Sequence, residues 1–407
     1  MPVEQHSEEK GSNRIDYGIL FSVLMLALFS IVAVYVATSH DSSATSSPIR
    51  AVIMQVVWYT IGAVAVVVIM QFDVEQLWKI APYAYGAGIF LLMAVLVLYD
   101  KQQFINTGAK SWFSFHSFTF QPSEVMKPAF IIMLGRVVTQ HNVKYPVHSV
   151  KTDFVLLGRM LLWTVPVAVL LKLQNDFGTM LVFLAIFAGM VLVSGVSWKI
   201  IVPAFLAVVL VGGGAIYMVT QDWGQQILGH FGFKTYQFQR VLNWLNPSQD
   251  TSNSGMQLWQ SMKAIGSGQM TGRGFNQIKV YVPVRESDMI FSVIGENFGF
   301  LGSCALVLLY FLLIYQMIKV TFDTKNEFYA YVSTGVIMMI LFHVFENIGM
   351  SIGLLPLTGI PLPFISQGGS ALLGNMIGIG LVMSMRYHYK SYMFTNREDQ
   401  DFQNSQI

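Results

Sequence analysis

Asp288 and its neighbour Glu286 close a long polar stretch that lies between two apolar segments. A carboxylate that is partly removed from water has a raised pKa, which brings it toward the range in which a general base works. Such a base typically contributes roughly 100- to 10,000-fold to a rate. The alternative is a structural role, in which Asp288 caps a helix that begins at Met289. The residues alone favour neither interpretation, and Glu286 is a rival candidate for the base.

Ionisable residues also occur within segments that are otherwise apolar. Lys127 lies three residues after Glu124, a spacing that allows an ion pair in a membrane helix, where unpaired charge is costly. A structural ion pair and a role with substrate are equally open for these two residues. Glu296 and Glu346 belong to either functional or structural polar networks. Asp176 precedes the sequence FGT and is predicted to cap the following helix, with a role in the functional site as the alternative.

A glycine-rich run, AIGSGQMTGRG, occupies residues 264–274. Glycine runs can cradle phosphate, but this one lacks the strand before it and the helix after it that make such a motif specific. We therefore predict tight turning in a loop that packs on a membrane.

The elements that position these residues are membrane helices. Of 407 residues, 54% are hydrophobic and 11% are charged, against about 25% charged in soluble domains. Apolar runs close to the roughly 20 residues that a bilayer requires predict about ten transmembrane helices. They cover residues 17–37, 51–71, 79–98, 123–138, 154–171, 177–194, 200–220, 300–320, 329–351 and 371–385.

The short loops predict how these helices are oriented. With the N-terminus inside the cell, the inner loops hold most of the Lys and Arg residues, as the positive-inside rule requires. Residues 1–15 and 391–407 then form cytoplasmic tails, and residues 16–390 form one membrane domain. A large loop at residues 221–288, between the seventh and eighth helices, faces outward. Recurrent aromatic and aliphatic residues indicate that this loop is structured, and loops of this length are usually functional.

The composition also argues against other classes of protein. The net charge of +2 is too small to favour nucleic acid as a partner. The sequence contains neither a P-loop nor a dinucleotide-binding fingerprint, so a nucleotide-driven pump is not expected. The single cysteine, Cys304, excludes an internal disulfide and is predicted to be a packing residue.

Seven motifs together carry a resemblance to a known family. In order they are GAKSW, FQPSE, QNDFGT, YQFQRVLNWLNP, SMKAIGSG with GRGF, ESDMIFSVIGENFGFLG and GIPLPFISQGGS. They resemble the SEDS family, the shape, elongation, division and sporulation proteins, across nearly all of residues 17–390. Within it, the chain is similar to the RodA branch of Gram-positive bacteria more than to FtsW. Asn175 and Gln367 depart from the proline and tyrosine of many members.

The resemblance implies an all-α, GT-C-like peptidoglycan glycosyltransferase that polymerises lipid II at the outer face of the cytoplasmic membrane. The reaction would invert the anomeric carbon and release undecaprenyl diphosphate. Implied partners are a class B penicillin-binding protein and other membrane proteins of the elongation complex. The essential acidic residue of the family's large outer loop corresponds to Asp288, and its tryptophan near the third helix to Trp112. A divalent cation, Mg²⁺ or Mn²⁺, could assist the leaving group, although the sequence contains no dedicated site.

A leaving diphosphate needs positive side chains, and the guanidinium group of arginine suits phosphate in two-pronged hydrogen bonds. For each candidate, contact with solvent or lipid headgroups is the structural alternative. The candidates are Arg240, Lys263, Arg273, Arg285, Lys110 and Lys127.

Three further residues are candidates for lining the substrate groove. Prolines in GLLPLTGIPLPFISQGGS stop the ninth helix, and broken backbone near a membrane is tolerated where it lines a cavity or is buried in protein. Ser366 and Ser370 follow these prolines. Trp112 could stack on a sugar, although the residue by itself favours an anchor at the membrane interface.

Other functions stay open beside the transferase. A flippase or transporter for the lipid-linked precursor is one, but polar residues cluster on one side, whereas transport sites usually lie near the membrane midplane. A division-specific role like that of FtsW is another. A scaffold without chemistry leaves the ionisable residues of the loop unexplained.

Overall fold

A computed structural model describes residues 15–40, 47–115, 118–230, 235–248 and 254–393. Strands β1 (Phe113–Phe115) and β2 (Phe118–Phe120) form an antiparallel hairpin, with Phe113 opposite Phe120. The helices are α1 (Tyr17–Ser39), α2 (Pro48–Met70), α3 (Val74–Leu98), α4 (Lys101–Thr107), α5 (Pro122–Lys144), α6 (Val150–Leu173), α7 (Phe177–Val193), α8 (Trp198–Val219), α9 (Asp222–His230), α10 (Thr235–Leu245), α11 (Ser254–Ser267), α12 (Ile290–Thr324), α13 (Glu327–Ser351) and α14 (Gly369–Met393).

The predicted apolar segments all form long helices. Among the described residues, seven helices are long and apolar enough to cross a membrane, and α7 is a shorter apolar helix. The other two, α5 and α14, hold more polar residues, and most of their described side chains are buried in the bundle. These two helices do not need apolar side chains on every face, because they face protein more than lipid.

Side-chain caps set where several of these helices begin. The side chains of Asp16, Ser47, Asp73 and Ser149 each accept a hydrogen bond from a backbone N–H in the first turn of α1, α2, α3 and α6. Such caps satisfy N–H groups that have no partner within the helix.

The long helices run back and forth, so that alternate connections lie at the same end of the bundle. The loop end, as we call it, holds α4, the β1–β2 hairpin, α9, α10, α11 and residues 268–289 and 352–368. Helices α5 and α13 lie at the centre, where α5 packs on α3 and α13, and α13 packs on α7. In contrast, α8 packs on α9 and α10, and Val219 is its one buried residue.

Helix α12 differs from its predicted counterpart at residues 300–320, because it begins ten residues earlier, at Ile290, and is broken at Gly299. Gly299 has φ 64° and ψ −159°, so the backbone amides after it lose their helical partners. The loop replaces those partners. Phe300 N donates to Gln269 O at 2.9 Å, and Leu301 N donates to Met270 O at 3.1 Å.

The glycine run of the loop makes further backbone hydrogen bonds with α12. Gly272 has φ +84°, and a Cβ added there would lie 2.1 Å from the carbonyl oxygen of Asn297. The amides of Arg273 and Gly274 donate to the carbonyls of Glu296 and Asn297. These amides are therefore used within the protein, which agrees with the predicted turn and not with a phosphate cradle.

The connection from α13 to α14 enters the bundle instead of crossing its surface. Residues 360, 362 and 364–366 are almost fully buried. Side-chain hydroxyl groups of the bundle donate hydrogen bonds to backbone carbonyls of this buried connection: Tyr310 donates to Pro363 O, Tyr59 to Phe364 O and Ser30 to Ile365 O. The re-entrant segment, residues 353–368, is thus broken backbone buried in protein, as its prolines predict.

Candidate active site

Asp288 lies at the loop end, immediately before α12. The N-terminal cap of α12 is Met289, and no side chain caps this helix. The prediction that Asp288 could cap it is therefore wrong. Its Oδ1 instead accepts a hydrogen bond from Ser287 Oγ at 3.1 Å.

The main chain of Asp288 is fixed by a residue of α13. Asn347 Nδ2 donates to Asp288 O at 2.7 Å and to Ile360 O at 2.8 Å. Asn347 is fully buried, so one amide group joins the start of α12, the end of α13 and the re-entrant segment.

The re-entrant segment also passes directly beside the carboxylate of Asp288. Gly359 has φ +77°, and a Cβ added there would lie 3.2 Å from Asp288 Oδ2. A side chain at this position would strain the backbone and crowd the carboxylate. Glycine therefore lets the segment approach Asp288 closely.

A second carboxylate, Glu346, lies on α13 beside this segment. It is buried, and its Oε1 accepts a hydrogen bond from Thr358 Oγ1 at 2.9 Å. The start of α7 packs against Thr358 of the re-entrant segment, because a Cβ added at Gly178 would lie 3.1 Å from Thr358 O. Glu346 thus belongs to a polar network within the site.

Asp176 caps α7, as predicted. Its side chain accepts from Thr179 N at 3.2 Å, and its Oδ2 accepts from Gln121 Nε2 at 2.8 Å. These two contacts hold the start of α7 against the start of α5 at the loop end.

Burial is the main influence on the charge of Asp288. It raises the pKa of Asp288 from its ordinary 3.8 to about 7. The hydrogen bond from Ser287 and the positive charge of Arg240 lower this pKa, while the negative charge of Glu286 raises it. The charge of Glu286 therefore raises the pKa of Asp288. The backbone carbonyl of Glu286 accepts a hydrogen bond from Gln367 N at 2.9 Å.

Arg240 is brought toward Asp288 by α10, which lies over the loop end. Trp244 Nε1 on the same helix donates to Gly353 O at 3.0 Å, which ties α10 to the re-entrant segment. Arg240 is half-buried, and its charge acts on Asp288. It is the basic candidate that best suits an anion at this site.

The other basic candidates of the loop make structural contacts. Arg285 is buried, and its Nε donates to Ala37 O at 2.9 Å, at the end of α1. The ammonium groups of Lys263 and Lys110 lie over aromatic rings, Lys263 over Trp259 and Lys110 over Tyr99 and Phe104. Arg273 Nε donates a hydrogen bond to Ser267 Oγ.

The predicted ion pair between Glu124 and Lys127 is present and has a third member. Lys127 Nζ lies 2.7 Å from Glu124 Oε2 and 2.9 Å from His343 Nε2 on α13. All three side chains are buried. His343 was not among the candidates from the sequence, although it lies one helical turn before Asn347, on the same face of its helix.

The three groove candidates differ in their surroundings. Ser366 Oγ donates to Ser287 O at 2.6 Å and accepts from Leu362 N at 2.8 Å, so it ties the re-entrant segment to the residue before Asp288. Ser370 is buried at the start of α14. Trp112 is half-buried, and its carbonyl accepts from Asp100 N at 2.8 Å.

A cavity of about 690 Å³ opens between α11, α12 and α13. Its lining is almost wholly apolar and includes Phe291, Gly299, Cys304 and Ile348. Cys304 is exposed here, so the prediction that it is a packing residue is wrong. Because none of the lining side chains is charged, this cavity does not suit a diphosphate.

No group of three or more His, Cys, Asp or Glu side chains is placed to hold a metal ion within the described part of the chain. A divalent cation that assists the leaving group stays a prediction, because Mg²⁺ is usually held by one or two carboxylates together with the phosphates of the substrate.

Comparisons with known proteins place this geometry in a family. The family model of the cell cycle proteins FtsW, RodA and SpoVE matches residues 17–391. The peptidoglycan glycosyltransferase MrdB of Escherichia coli K12 is 33% identical over 381 residues, which cover 92% of this chain and 94% of MrdB. The peptidoglycan glycosyltransferase RodA of Treponema pallidum is 29% identical, covering 91% of this chain and 97% of that protein.

Solved structures share the fold. One chain belongs to a peptidoglycan synthase complex that coordinates polymerisation and crosslinking. It superposes with a TM-score of 0.74 at 24% identity and covers 94% of this chain and 99% of that one. The rod shape determining protein RodA of Thermus thermophilus superposes with a TM-score of 0.65 at 24% identity, covering 94% of this chain and 98% of that one.

Proposed function

This chain belongs to the SEDS family of cell cycle proteins, and we propose how its loop end carries out the transfer reaction of a peptidoglycan glycosyltransferase for cell shape. The substrate in this proposal is lipid II, a disaccharide on a lipid diphosphate. The growing glycan is held on one lipid diphosphate and is transferred to the sugar hydroxyl of another lipid II molecule.

Asp288 is the general base in this reaction. Its carboxylate takes the proton of the acceptor hydroxyl, whose oxygen forms a bond to the anomeric carbon of the donor. The bond from that carbon to the diphosphate oxygen breaks, and the electron pair leaves with undecaprenyl diphosphate. Attack from the side opposite the leaving group inverts the anomeric carbon.

One observation carries the assignment: the half-buried carboxylate of Asp288 lies beside Gly359 at the loop end, where burial raises its pKa to about 7. A base is most effective when its pKa lies near the working pH, because it is then both ionised and able to hold the proton. The contacts of Asn347 and Gly359 hold this carboxylate in place at the loop end.

Arg240 is the proposed contact for the leaving diphosphate. It lies on α10, above the site, and its charge already acts on Asp288. A guanidinium group can bind two phosphate oxygens at once, and the diphosphate gains negative charge as the bond breaks. Arg285 Nε donates to Ala37 O and Lys263 lies over the ring of Trp259, whereas Arg240 is the basic candidate whose charge acts on Asp288.

A class B penicillin-binding protein is the proposed partner, with other membrane proteins of the elongation complex. The support is that the structural relative with a TM-score of 0.74 belongs to a peptidoglycan synthase complex. The protein is a multi-pass membrane protein. We place it in the cytoplasmic membrane with both termini inside and the loop end outside.

The test uses purified protein in liposomes that contain fluorescent lipid II, with and without the penicillin-binding partner. We expect glycan polymer that a muramidase digests. Lipid II that crosses between the leaflets without being polymerised would instead support the flippase hypothesis and contradict ours.

A further inference from the structure

The buried cluster of Glu124, Lys127 and His343 lies beneath the Asp288 site and has no part in the reaction described above. The exposed fractions of the three side chains are 3%, 1% and 2%. Lys127 Nζ is 2.7 Å from Glu124 Oε2 on its own helix and 2.9 Å from His343 Nε2 on α13. The cluster therefore joins the two central helices of the bundle through one ammonium group.

The hydrogen bonds of His343 define its protonation. Its Nδ1 faces the carbonyl oxygen of Met339 at 2.6 Å. A carbonyl oxygen can only accept, so Nδ1 carries a proton, and a lysine ammonium can only donate, so Nε2 presents a lone pair to it. Lys127 therefore donates to Nε2, and the imidazole is neutral. The carboxylate of Glu124 offsets part of the cost of burying this ammonium group within a membrane helix bundle.

His343 limits where the charge of Lys127 can lie. The side chain of lysine is flexible, and an ammonium group has three N–H donors. Glu124 belongs to the same helix, so it restrains Lys127 only relative to α5. His343 restrains the ammonium relative to α13, which is the helix that holds Asp288 through Asn347.

The cluster also lies close to the reaction site along α13. His343 precedes Asn347 by four residues, which on a helix is one turn, or about 6 Å along the axis. Helix α14 closes the other side, because a Cβ added at Gly374 would lie 2.5 Å from Glu124 O. A charge at this depth is screened much less than a charge in water.

We propose that His343 is a positioning residue, which holds the Lys127 ammonium where its charge favours the diphosphate anion as it leaves. This inference rests on the proposed glycosyl transfer. The charge on the leaving group grows as the bond breaks, so a fixed positive charge stabilises the transition state more than the bound substrate. His343 would therefore influence kcat more than KM.

The test is a double-mutant cycle in the polymerisation assay, with His343→Leu, Lys127→Met and the double variant. We expect His343→Leu to lower kcat about 10- to 100-fold with little change in KM, since a misplacement of about 1 Å can cost 100-fold. It should cause little further loss in the Lys127→Met background, because His343 acts through Lys127. Phe345→Leu is the matched control, since Phe345 is 54% exposed on the same helix and should leave kcat unchanged.

A second pair of variants serves if His343→Leu does not fold. The amide oxygen of His343→Gln can still accept from Lys127, whereas His343→Asn is one carbon too short. Activity close to wild type for Gln, with a lower kcat for Asn, supports the inference. Equal activities for Gln and Asn, or full additivity of His343→Leu and Lys127→Met, overturn it while the wild type still makes polymer. A wild type that makes no polymer overturns the proposed function as well.

Discussion

The side chain of Asn347 binds the backbone carbonyl of Asp288, so that the carboxylate of Asp288 is available for the reaction. The side-chain Nδ2 of Asn347 lies 2.7 Å from Asp288 O and 2.8 Å from Ile360 O. The position of the carboxylate is thus set by a buried amide on another helix, without any hydrogen bond from Asn347 to the carboxylate itself. A base held in this way can exchange protons without losing its support.

Replacing Asn347 with leucine tests this support. The change keeps the branched shape of the side chain but leaves the carbonyls of Asp288 and Ile360 without their donor, which costs about 1–3 kcal/mol for a buried group. We expect lower thermal stability and a kcat for polymerisation reduced by about 10- to 100-fold, because small misplacements of a reacting group are costly. Phe345→Leu, at an exposed position two residues away, is the control. A wild-type kcat for Asn347→Leu would show that this clamp is dispensable.

The neighbours of Asp288 should shift the pH dependence of polymerisation in opposite directions. As a base, Asp288 acts when ionised, so activity should rise with pH through its pKa of about 7. Glu286 raises that pKa, so Glu286→Gln should move the rise to lower pH. Arg240 lowers it, so Arg240→Gln should move the rise to higher pH, together with weaker substrate binding. The measurement is the pH dependence of kcat/KM between pH 5 and 9, because this ratio reports the pKa values of groups in the free enzyme.

The two variants also control for each other in that experiment. General damage to the loop would lower activity without moving the two profiles apart. Profiles that shift in the same direction, or that coincide with the wild type, would mean that the group titrating near neutral pH is not Asp288.

Replacing each of two glycines of one run with alanine should have sharply different effects on the stability of the protein. Gly272 has φ +84° and faces the Asn297 carbonyl, where a Cβ would lie 2.1 Å from the oxygen. We expect Gly272→Ala to lower the free energy of unfolding by about 1–3 kcal/mol or more, from backbone strain and the clash. A Cβ added at Gly266 on α11 meets no atom within 4 Å, so Gly266→Ala should be neutral or slightly stabilising. Equal melting temperatures for the two variants would contradict the packing of this run on α12.

The orientation in the membrane can be measured with single cysteines. Cys304 is the only cysteine of the chain, so a Cys304→Ser background is free of thiols. In intact cells, a membrane-impermeant maleimide should label Lys263→Cys, on the exposed face of α11, and should not label Lys151→Cys at the opposite end of the bundle. The reverse pattern would put Asp288 on the cytoplasmic side, where the proposed reaction has no site.

Much of the fold could be predicted from the sequence because it follows from local patterns. Apolar runs found all ten long helices, and short-range spacing found the Asp176 cap and the Glu124–Lys127 pair. The start of α12 was missed because Glu296, Asn297 and Gly299 interrupt its apolar pattern. The loop supplies partners for the side chains of Glu296 and Asn297, which hydropathy cannot reveal. Glu296 Oε1 accepts from the amides of residues 279 and 280, and Asn297 Oδ1 accepts from Gln277 N.

The parts of the site that could not be predicted are contacts between distant segments. Whether Asp288 caps a helix depends on where α12 begins, which only the structure shows. The approach of Gly359 to Asp288 and the contact of His343 with Lys127 join residues that are 71 and 216 positions apart. An isolated histidine in an apolar helix carries no local signal of its partner. The family resemblance, by contrast, pointed to Asp288 because its motif is contiguous. The family itself is confirmed, and the role of Asp288 stays a prediction.

The most direct measurement is the rate of lipid II polymerisation by Asp288→Asn beside the wild type. Asparagine keeps the shape of the side chain but cannot take a proton, so we expect a rate at least about 100-fold lower, with lipid II still bound. The control is Asp222→Asn, an exposed carboxylate in the same loop, which should polymerise as the wild type does. An Asp288→Asn variant whose rate stays within a few-fold of the wild type would show that another group removes the proton.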